Sequence, residues 1–443
     1  MWVQATMKKI KKFPVLDGSN GWFDTSTYKG KLNSKILDEN RTYDFVIIGA
    51  GVTGISAARR LAEIYPQAKI ALIDALKIGQ GTSGRNSGFM IDVPHFLDPN
   101  NLDIDKESKT VELNKFAIKR LKDTIEEHDL KPEWNHSGTY LAANEECNFN
   151  NIDAFIQTQK KIGSQYEVLS QSELVKRLGT HYYKKAVYTP GTVLMNPASL
   201  MMSLASVLPE NIDIYEDTPL RSMQLSGEKT LQFDKANIKC DQIVFATNAF
   251  NEAVHASKNK IAPVFTYASL TRVLNSKELL NFEGIASYGV TSAHPAGTSL
   301  RFTSDNRILI RNTVNASLTS NETSLKRACE KHRLSFENRY PNIKGVPFEY
   351  SWGGILGMTL NHQSHFSETN KGVYSVAGLN GLGLAKGTYL GHYMAEFICG
   401  KSSSQLDFIL KNENPSWIPP GPLTTLGANL RIRYEEYRAG MEI

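Results

Sequence analysis

The chain has 443 residues, 41% of them hydrophobic and 21% charged, a globular make-up that excludes a disordered chain, a collagen-like one and a coiled-coil rod. At about 150 residues per domain the length suggests roughly three domain-equivalents, or two larger interleaved domains. The 50 Lys and Arg against 45 Asp and Glu leave +5, too dilute a surplus to mark a nucleic-acid binder, so none is expected as partner.

The N-terminal MWVQATMKKIKKF is charged, but no apolar stretch follows, so it does not read as a secretory signal. Residues 7–13 read as a solvated, poorly ordered terminus, and residues 1–40 as an extension. The longest apolar runs, such as Phe45 to Ile48, are far too short for a membrane span. Cys147, Cys240, Cys329 and Cys399 lie far apart, with no CxxC pair. That argues against a zinc site or a disulfide scaffold and fits a reducing compartment. The expectation is a cytoplasmic protein with no metal.

Tyr43 to Ile48 is a short β-branched and aromatic run that suits a buried parallel strand. Gly49-Ala50-Gly51-Val52-Thr53-Gly54 follows, then a helical pattern from Ile55 to Tyr65-Pro66, and a second strand from Lys69 to Ile73 ending in Asp74. Each part has a physical reason. Gly49 permits a tight turn, Gly51 lets backbone approach a pyrophosphate, and Gly54 lets the helix pack on the sheet. The helix start, at Val52 and Thr53, offers free N–H groups to phosphate. Asp74, with Ala75 after it, stands where a carboxylate accepts hydrogen bonds from ribose hydroxyls, which disfavours NADP. The fingerprint leaves NAD and FAD both open. The small-residue loop from Ile78 to Met90 suggests backbone threaded past an extended cofactor, which favours a flavin.

At Gly81-Thr82-Ser83-Gly84-Arg85-Asn86-Ser87-Gly88 the chain resembles the FAD-dependent D-amino acid oxidase superfamily, the glycine and sarcosine oxidase-like enzymes, nearest the γ-glutamylputrescine oxidase-like branch with its GASGRNGG motif. The resemblance implies that Thr82, Ser83, Arg85, Asn86, Ser87 and Gly88 touch the flavin. It extends over roughly residues 41–403. Residues 190–220 resemble the stretch in which a backbone group, here of Leu220, meets adenine. Asp241 to Ala249 resembles the strand closing on the adenosine, with Thr247 and with Asn248 in place of glycine. Asn tolerates the turn's backbone angles. Phe348 to Gly354, with Thr359, resembles a signature near the flavin ring and includes Gly354 and Trp352. Arg301 to Arg311 resembles a family hairpin with Asp305-Asn306 as its turn. Asn380, Gly381, Leu382, Gly383 and Leu384 resemble the segment facing the flavin pyrimidine edge, and a helix is predicted from about Thr388 to Cys399 with Gly400 as cap.

The implied fold is α/β, a Rossmann-type FAD-binding domain (41–95, 190–260, 351–403) interleaved with an α+β substrate domain (96–189, 261–350) whose sheet is mostly antiparallel. Residues 404–443 form a tail, with a helix or edge strand at Leu430 to Arg438. The implied chemistry is oxidation of a C–N bond in an amine or amino acid, with hydride passing to flavin N5, imine hydrolysis, and reoxidation by O2. A dehydrogenase feeding a quinone or carrier, and a flavoprotein that does not oxidise amines, are the alternatives. His95, His362, Tyr267 and Trp352 are the candidate catalytic or pocket residues, and Arg301 or Arg311 a candidate for a substrate carboxylate. The FAD is expected to be non-covalent. No histidine stands near Asn86, and no cysteine precedes the C-terminal glycine segment where a flavin-linking one would fall. The oligomeric state is left open.

Overall fold

The computed structural model describes residues 7–94 and 99–443. Among these, two large sheets carry the architecture. The first has nine strands. Its centre is parallel, in the order Ile212–Tyr215, Ile70–Ile73, Arg41–Ile48, Asn237–Phe245, Val373–Ala377. These strands are buried on both faces, so they read as unbroken apolar runs: Val46, Ile47, Leu72 and Ile243 are all solvent-free. Helices Val52–Ile64 and Gly383–Ile398 cover one face of this sheet and cross where Gly391 meets Thr53. A Cβ on Gly391 would overlap the Thr53 carbonyl oxygen. That crossing brings the chain's C-terminal glycine segment onto the N-terminal one.

The second sheet has eight strands, in the order Phe348–Met358, Ala262–Thr271, Ile308–Asn315, Ser299–Phe302, Tyr288–Ser292, Thr139–Ala143, Lys185–Thr189, Glu167–Leu169. All pairings but Tyr288–Ser292 with Thr139–Ala143 are antiparallel. Strand Phe348–Met358 runs through the expected boundary at 350/351 and lies wholly in this sheet, because its backbone pairs with Ala262–Thr271 along its length. The Asp305-Asn306 turn is present, with Asn306 at φ 61°.

Two local expectations need correction, and one open alternative is decided. Residues 7–13 are not a free terminus: Lys8–Lys9 pairs with Ser222–Gln224, and Ile10 is buried beyond it. The C-terminal helix begins at Gly383, ahead of the expected Thr388, so that Gly387, which packs against Val52 and Thr53, lies inside it. The tail is helical, Ser404–Asn412 and Gly421–Ala439, and it is anchored. The Glu442 carboxylate accepts the Asn144 and Glu145 N–H groups, and its backbone carbonyl accepts Thr298 N–H and Arg339. No helix among the described residues is long and apolar enough to cross a membrane.

Candidate active site

The first glycine turn is built as its spacing requires. Gly49 sits at φ 107°, and a Cβ on Gly54 would overlap the Gly49 carbonyl oxygen. Helix Val52–Ile64 therefore starts hard against the turn, with Gly51 as its N-cap. Asp74 closes the motif. Its Oδ2 accepts Ala50 N–H at 2.7 Å and its Oδ1 accepts Leu76 N–H at 2.9 Å. Burial pushes its pKa up to about 6.

The same turn is built a second time. Gly79-Gln80-Gly81-Thr82-Ser83-Gly84 repeats the spacing, with Gly79 at φ 91° and a Gly84 Cβ that would overlap the Gly79 carbonyl oxygen. What reads as loop thus contains the short helix Thr82–Arg85, capped by Gly81 in the same backbone conformation as Gly51. The two turns touch: Ser83 Oγ accepts Val52 N–H at 3.0 Å, and a Cβ on Gly51 would meet that oxygen at 2.7 Å. The repeated GxGxxG spacing was the sequence signal for this element, and it went unread beside the first.

The second turn is held from outside by two indoles. Trp352 donates to the Arg85 carbonyl at 3.0 Å and Trp22 to the Asn86 carbonyl at 2.9 Å. Arg85 is buried, and its guanidinium is spent on the carbonyls of Asp17, Gln80 and Gly353 and on the Gln80 amide oxygen. It ties backbone together and makes no ion pair. Burial lowers its pKa to about 10, so it remains a cation at neutral pH.

A cleft of about 910 Å³ runs along these elements. Every residue expected at the cofactor lines it except Val52, Gly54 and Gly88. Gly54 is consumed by the turn, Val52 N–H by Ser83, and Gly88 by close packing against Arg301 and the Met195 carbonyl. Asn248 adopts the left-handed turn, φ 43°, and its Oδ1 accepts Gly378 N–H at 3.0 Å. Asn380 is likewise left-handed, φ 56°, and its Oδ1 accepts Thr359 N–H at 2.8 Å. These two asparagines lock the C-terminal glycine segment to its neighbours. Leu382, Gly383 and Leu384, at the start of helix Gly383–Ile398, turn the positive end of its dipole to the cleft. The donor set fits a dinucleotide flavin: two helix N-termini, a cradle that a side chain on Gly51 would fill, and a carboxylate at Asp74.

The candidate catalytic residues are dispersed. Trp352 is fully buried off the lining, under the second turn. Tyr267 borders the cleft, but its hydroxyl meets Ser320 Oγ at 2.6 Å and Asn315 Nδ2 at 3.1 Å, and its ring packs on Phe265 and Ala328. His362 lies on the lining, solvent-exposed, at φ 56°. His95 lies outside the described residues. Arg301 is fully buried, its Nη1 donating to the carbonyls of Ser87, Gly88 and Met195 and its Nε left without a partner, whereas Arg311 lines the cleft. Among the lining residues that sequence reasoning passed over are Thr266 and His294. His294 Nδ1 accepts Ala296 N–H at 3.2 Å, which leaves its proton on Nε2, 3.4 Å from Glu435. Burial lowers its pKa. None of the four cysteines is on the lining, and all are free thiols.

The profile of the family described as FAD dependent oxidoreductase (DAO) matches residues 44–397. The probable oxidoreductase OrdL of Haemophilus influenzae is 25% identical over 372 residues, 81% of this chain and 83% of that protein. The gamma-glutamylputrescine oxidoreductase of Escherichia coli is 22% identical over 384 residues, 82% and 85% of the two chains. Among solved structures, glycine oxidase from Geobacillus kaustophilus superposes with a TM-score of 0.68 at 18% identity, covering 82% of this chain and 96% of that one.

Proposed function

Because the chain belongs to the FAD-dependent oxidoreductase family, we propose that it oxidises a C–N bond of an amine or amino acid and passes the electrons to O2. One observation carries this reading. The cleft that fits FAD continues without a wall beneath the eight-stranded sheet, onto Thr266, Ser299, Arg311 and His294. A chamber for a small polar molecule therefore opens directly from the cofactor's place. The E. coli relative's name, gamma-glutamylputrescine oxidoreductase, supports a nitrogen substrate.

In this reading the parallel sheet with its helices forms the FAD domain, and the antiparallel sheet roofs the substrate. FAD, when bound, supplies the hydride acceptor. The chain supplies position and charge. Asp74 accepts from ribose hydroxyls, and the two glycine turns bring N–H groups to the phosphates. The amides at Leu382, Gly383 and Leu384 favour negative charge beside them. His362 and Tyr267 border the route that the substrate takes. Little acid–base machinery is required if the amine enters unprotonated.

The test is an anaerobic screen of the yellow holoenzyme with polyamines, N-methyl amino acids, D-amino acids and γ-glutamyl amines. Bleaching of the flavin by at least one supports the reading, and bleaching by none sinks it. Admitting air should then give one hydrogen peroxide per substrate oxidised. Reduced flavin that persists in air would reassign the acceptor to a quinone or a protein carrier.

A further inference from the structure

A surface helix ordinarily turns its apolar side to the core. Helix Gly421–Ala439 does the reverse. Leu423, Leu426, Leu430, Tyr434 and Tyr437 are each more than half exposed. They recur at intervals of three and four residues, so at about 100° per residue they fall within about 80° of arc. The inner side is held largely by polar contacts. Asn429 Oδ1 accepts Ala316 N–H at 3.1 Å, Lys331 Nζ reaches Glu436 at 3.0 Å, and Glu435 lies 3.4 Å from His294. Within the helix only Ala439 is buried.

The charges of the helix are sorted by side. Arg431 and Arg438 border the stripe along one edge, their guanidinium groups 5.7 and 5.8 Å from the centre of the Tyr434 ring. Arg433 borders the other edge. The acids turn inward: the side chains of Glu435 and Glu436 are 17% and 21% exposed, against 72% for Arg431, which pairs with Glu435. The outer surface is therefore apolar along its middle and cationic along both borders. Trp417, just ahead of the helix, is exposed as well.

A contiguous exposed apolar stripe marks an interaction site. A second copy of the chain suits it poorly. Five side chains fall short of the roughly 20–30 residues a side of a standard interface, and two arginine-bordered stripes would meet with no acid between them. An anionic bilayer supplies both complements. Its acyl boundary takes up leucine, its headgroup layer suits tyrosine and tryptophan, and its phosphates pair with arginine. We propose that helix Gly421–Ala439 docks the protein on an anionic lipid surface, with the stripe from Leu423 to Tyr437 entering the headgroup layer and the three arginines meeting lipid phosphate. The docked face adjoins the cleft, because Glu435 on its inner side reaches His294 of the cleft lining. The proposal is independent of which substrate the flavin oxidises.

The experiment sediments holoenzyme with vesicles of phosphatidylcholine alone and of phosphatidylcholine mixed with phosphatidylglycerol, and reads the flavin absorption of the pellet. Wild type should pellet with the mixed vesicles, far less with phosphatidylcholine alone, and should be released by raised salt. Arg433→Gln with Arg438→Gln should weaken binding about thirtyfold, at about fivefold per arginine. Leu426→Ser with Leu430→Ser should weaken it about tenfold to a hundredfold. Leu280→Ser, at an exposed leucine elsewhere, should change nothing. All these side chains are exposed, so melting temperature and bound flavin should match wild type. No sedimentation with the mixed vesicles would overturn the proposal, as would equal binding to both vesicle types or unchanged binding in either double variant. A soluble dimer that Leu426→Ser with Leu430→Ser splits would overturn it too and assign the stripe to a second copy.

Discussion

Asp74→Asn tests how the carboxylate after the second strand serves the cofactor. The wild-type side chain gives one oxygen to Ala50 N–H and the other to Leu76 N–H. Asparagine has a single oxygen, so its NH2 must face one of these donors. One hydrogen bond to a charged group is lost, about 1.5–3 kcal/mol. Against this, asparagine no longer buries a charge. Asp74 is lifted from 3.8 to about 6, and that difference is worth about 3 kcal/mol at neutral pH. The two effects nearly cancel in the FAD-free protein, so its melting temperature at pH 7.5 should move little. They do not cancel for FAD, because Ala50 lies inside the glycine turn and the ribose loses its acceptor. FAD affinity at pH 7.5, measured by fluorescence titration of the apoprotein, should fall about 10- to 150-fold. The pH dependence has a definite sign. A carboxyl raised in the folded state gives the apoprotein stability at low pH that is lost as pH rises from about 4 through about 6. FAD favours the ionised form, so wild-type affinity should be flat above pH 7 and should weaken below 6, by at most about tenfold per pH unit. The variant should show no such bend. Wild-type affinity for FAD in Asp74→Asn at pH 7.5, or equal wild-type affinity at pH 5 and 8, would refute the reasoning.

Gly391→Ala places a methyl group against the Thr53 carbonyl where the two helices cross, so overpacking should cost about 1–3 kcal/mol. Denaturant unfolding should show it, and FAD should be released earlier in the transition. Trp352→Phe leaves the Arg85 carbonyl without its donor, at about 1–3 kcal/mol. The FAD-bound melting temperature should drop, while the relative kcat/KM values across a substrate panel stay in the same order, as expected of a support under the loop. Tyr267→Phe removes a hydroxyl committed to Ser320 and Asn315. The pH profile of kcat should keep its shape, and a lost limb in that profile would make Tyr267 an acid–base group after all.

The parts of the site that were legible in the sequence are those whose physics is local. Gly49, Gly51, Gly54 and Asp74 are spaced by the geometry of one strand–turn–helix–strand unit, so their roles can be read without knowing what surrounds them. The second turn, Gly79 to Gly84, is equally local and was legible in principle. The parallel strands could be found for the same reason, because burial on both faces leaves an unbroken apolar run. The N-terminal segment had no such mark. That Trp22 reaches the Asn86 carbonyl, and that Lys8–Lys9 extends the first sheet, depends on pairings across the whole domain.

The substrate side shows why aromatic and charged residues in a strand mislead. Trp352 and Tyr267 stand on neighbouring strands and both suggest a pocket wall. Yet Trp352 points to the cofactor side and is covered by the second turn, while the Tyr267 hydroxyl is held by Ser320 and Asn315. Arg301 and Arg311 are harder still. Leu309 pairs with Arg301 and lies two residues from Arg311 on its own strand, so both arginines belong to one face. Pattern alone cannot tell them apart. What separates them is the flavin loop, which delivers the carbonyls of Ser87 and Gly88 to Arg301 and stops short of Arg311. That loop thereby decides which of the two arginines borders the cleft. The choice is thus set by how the loop packs on the sheet, and only a structure makes it readable.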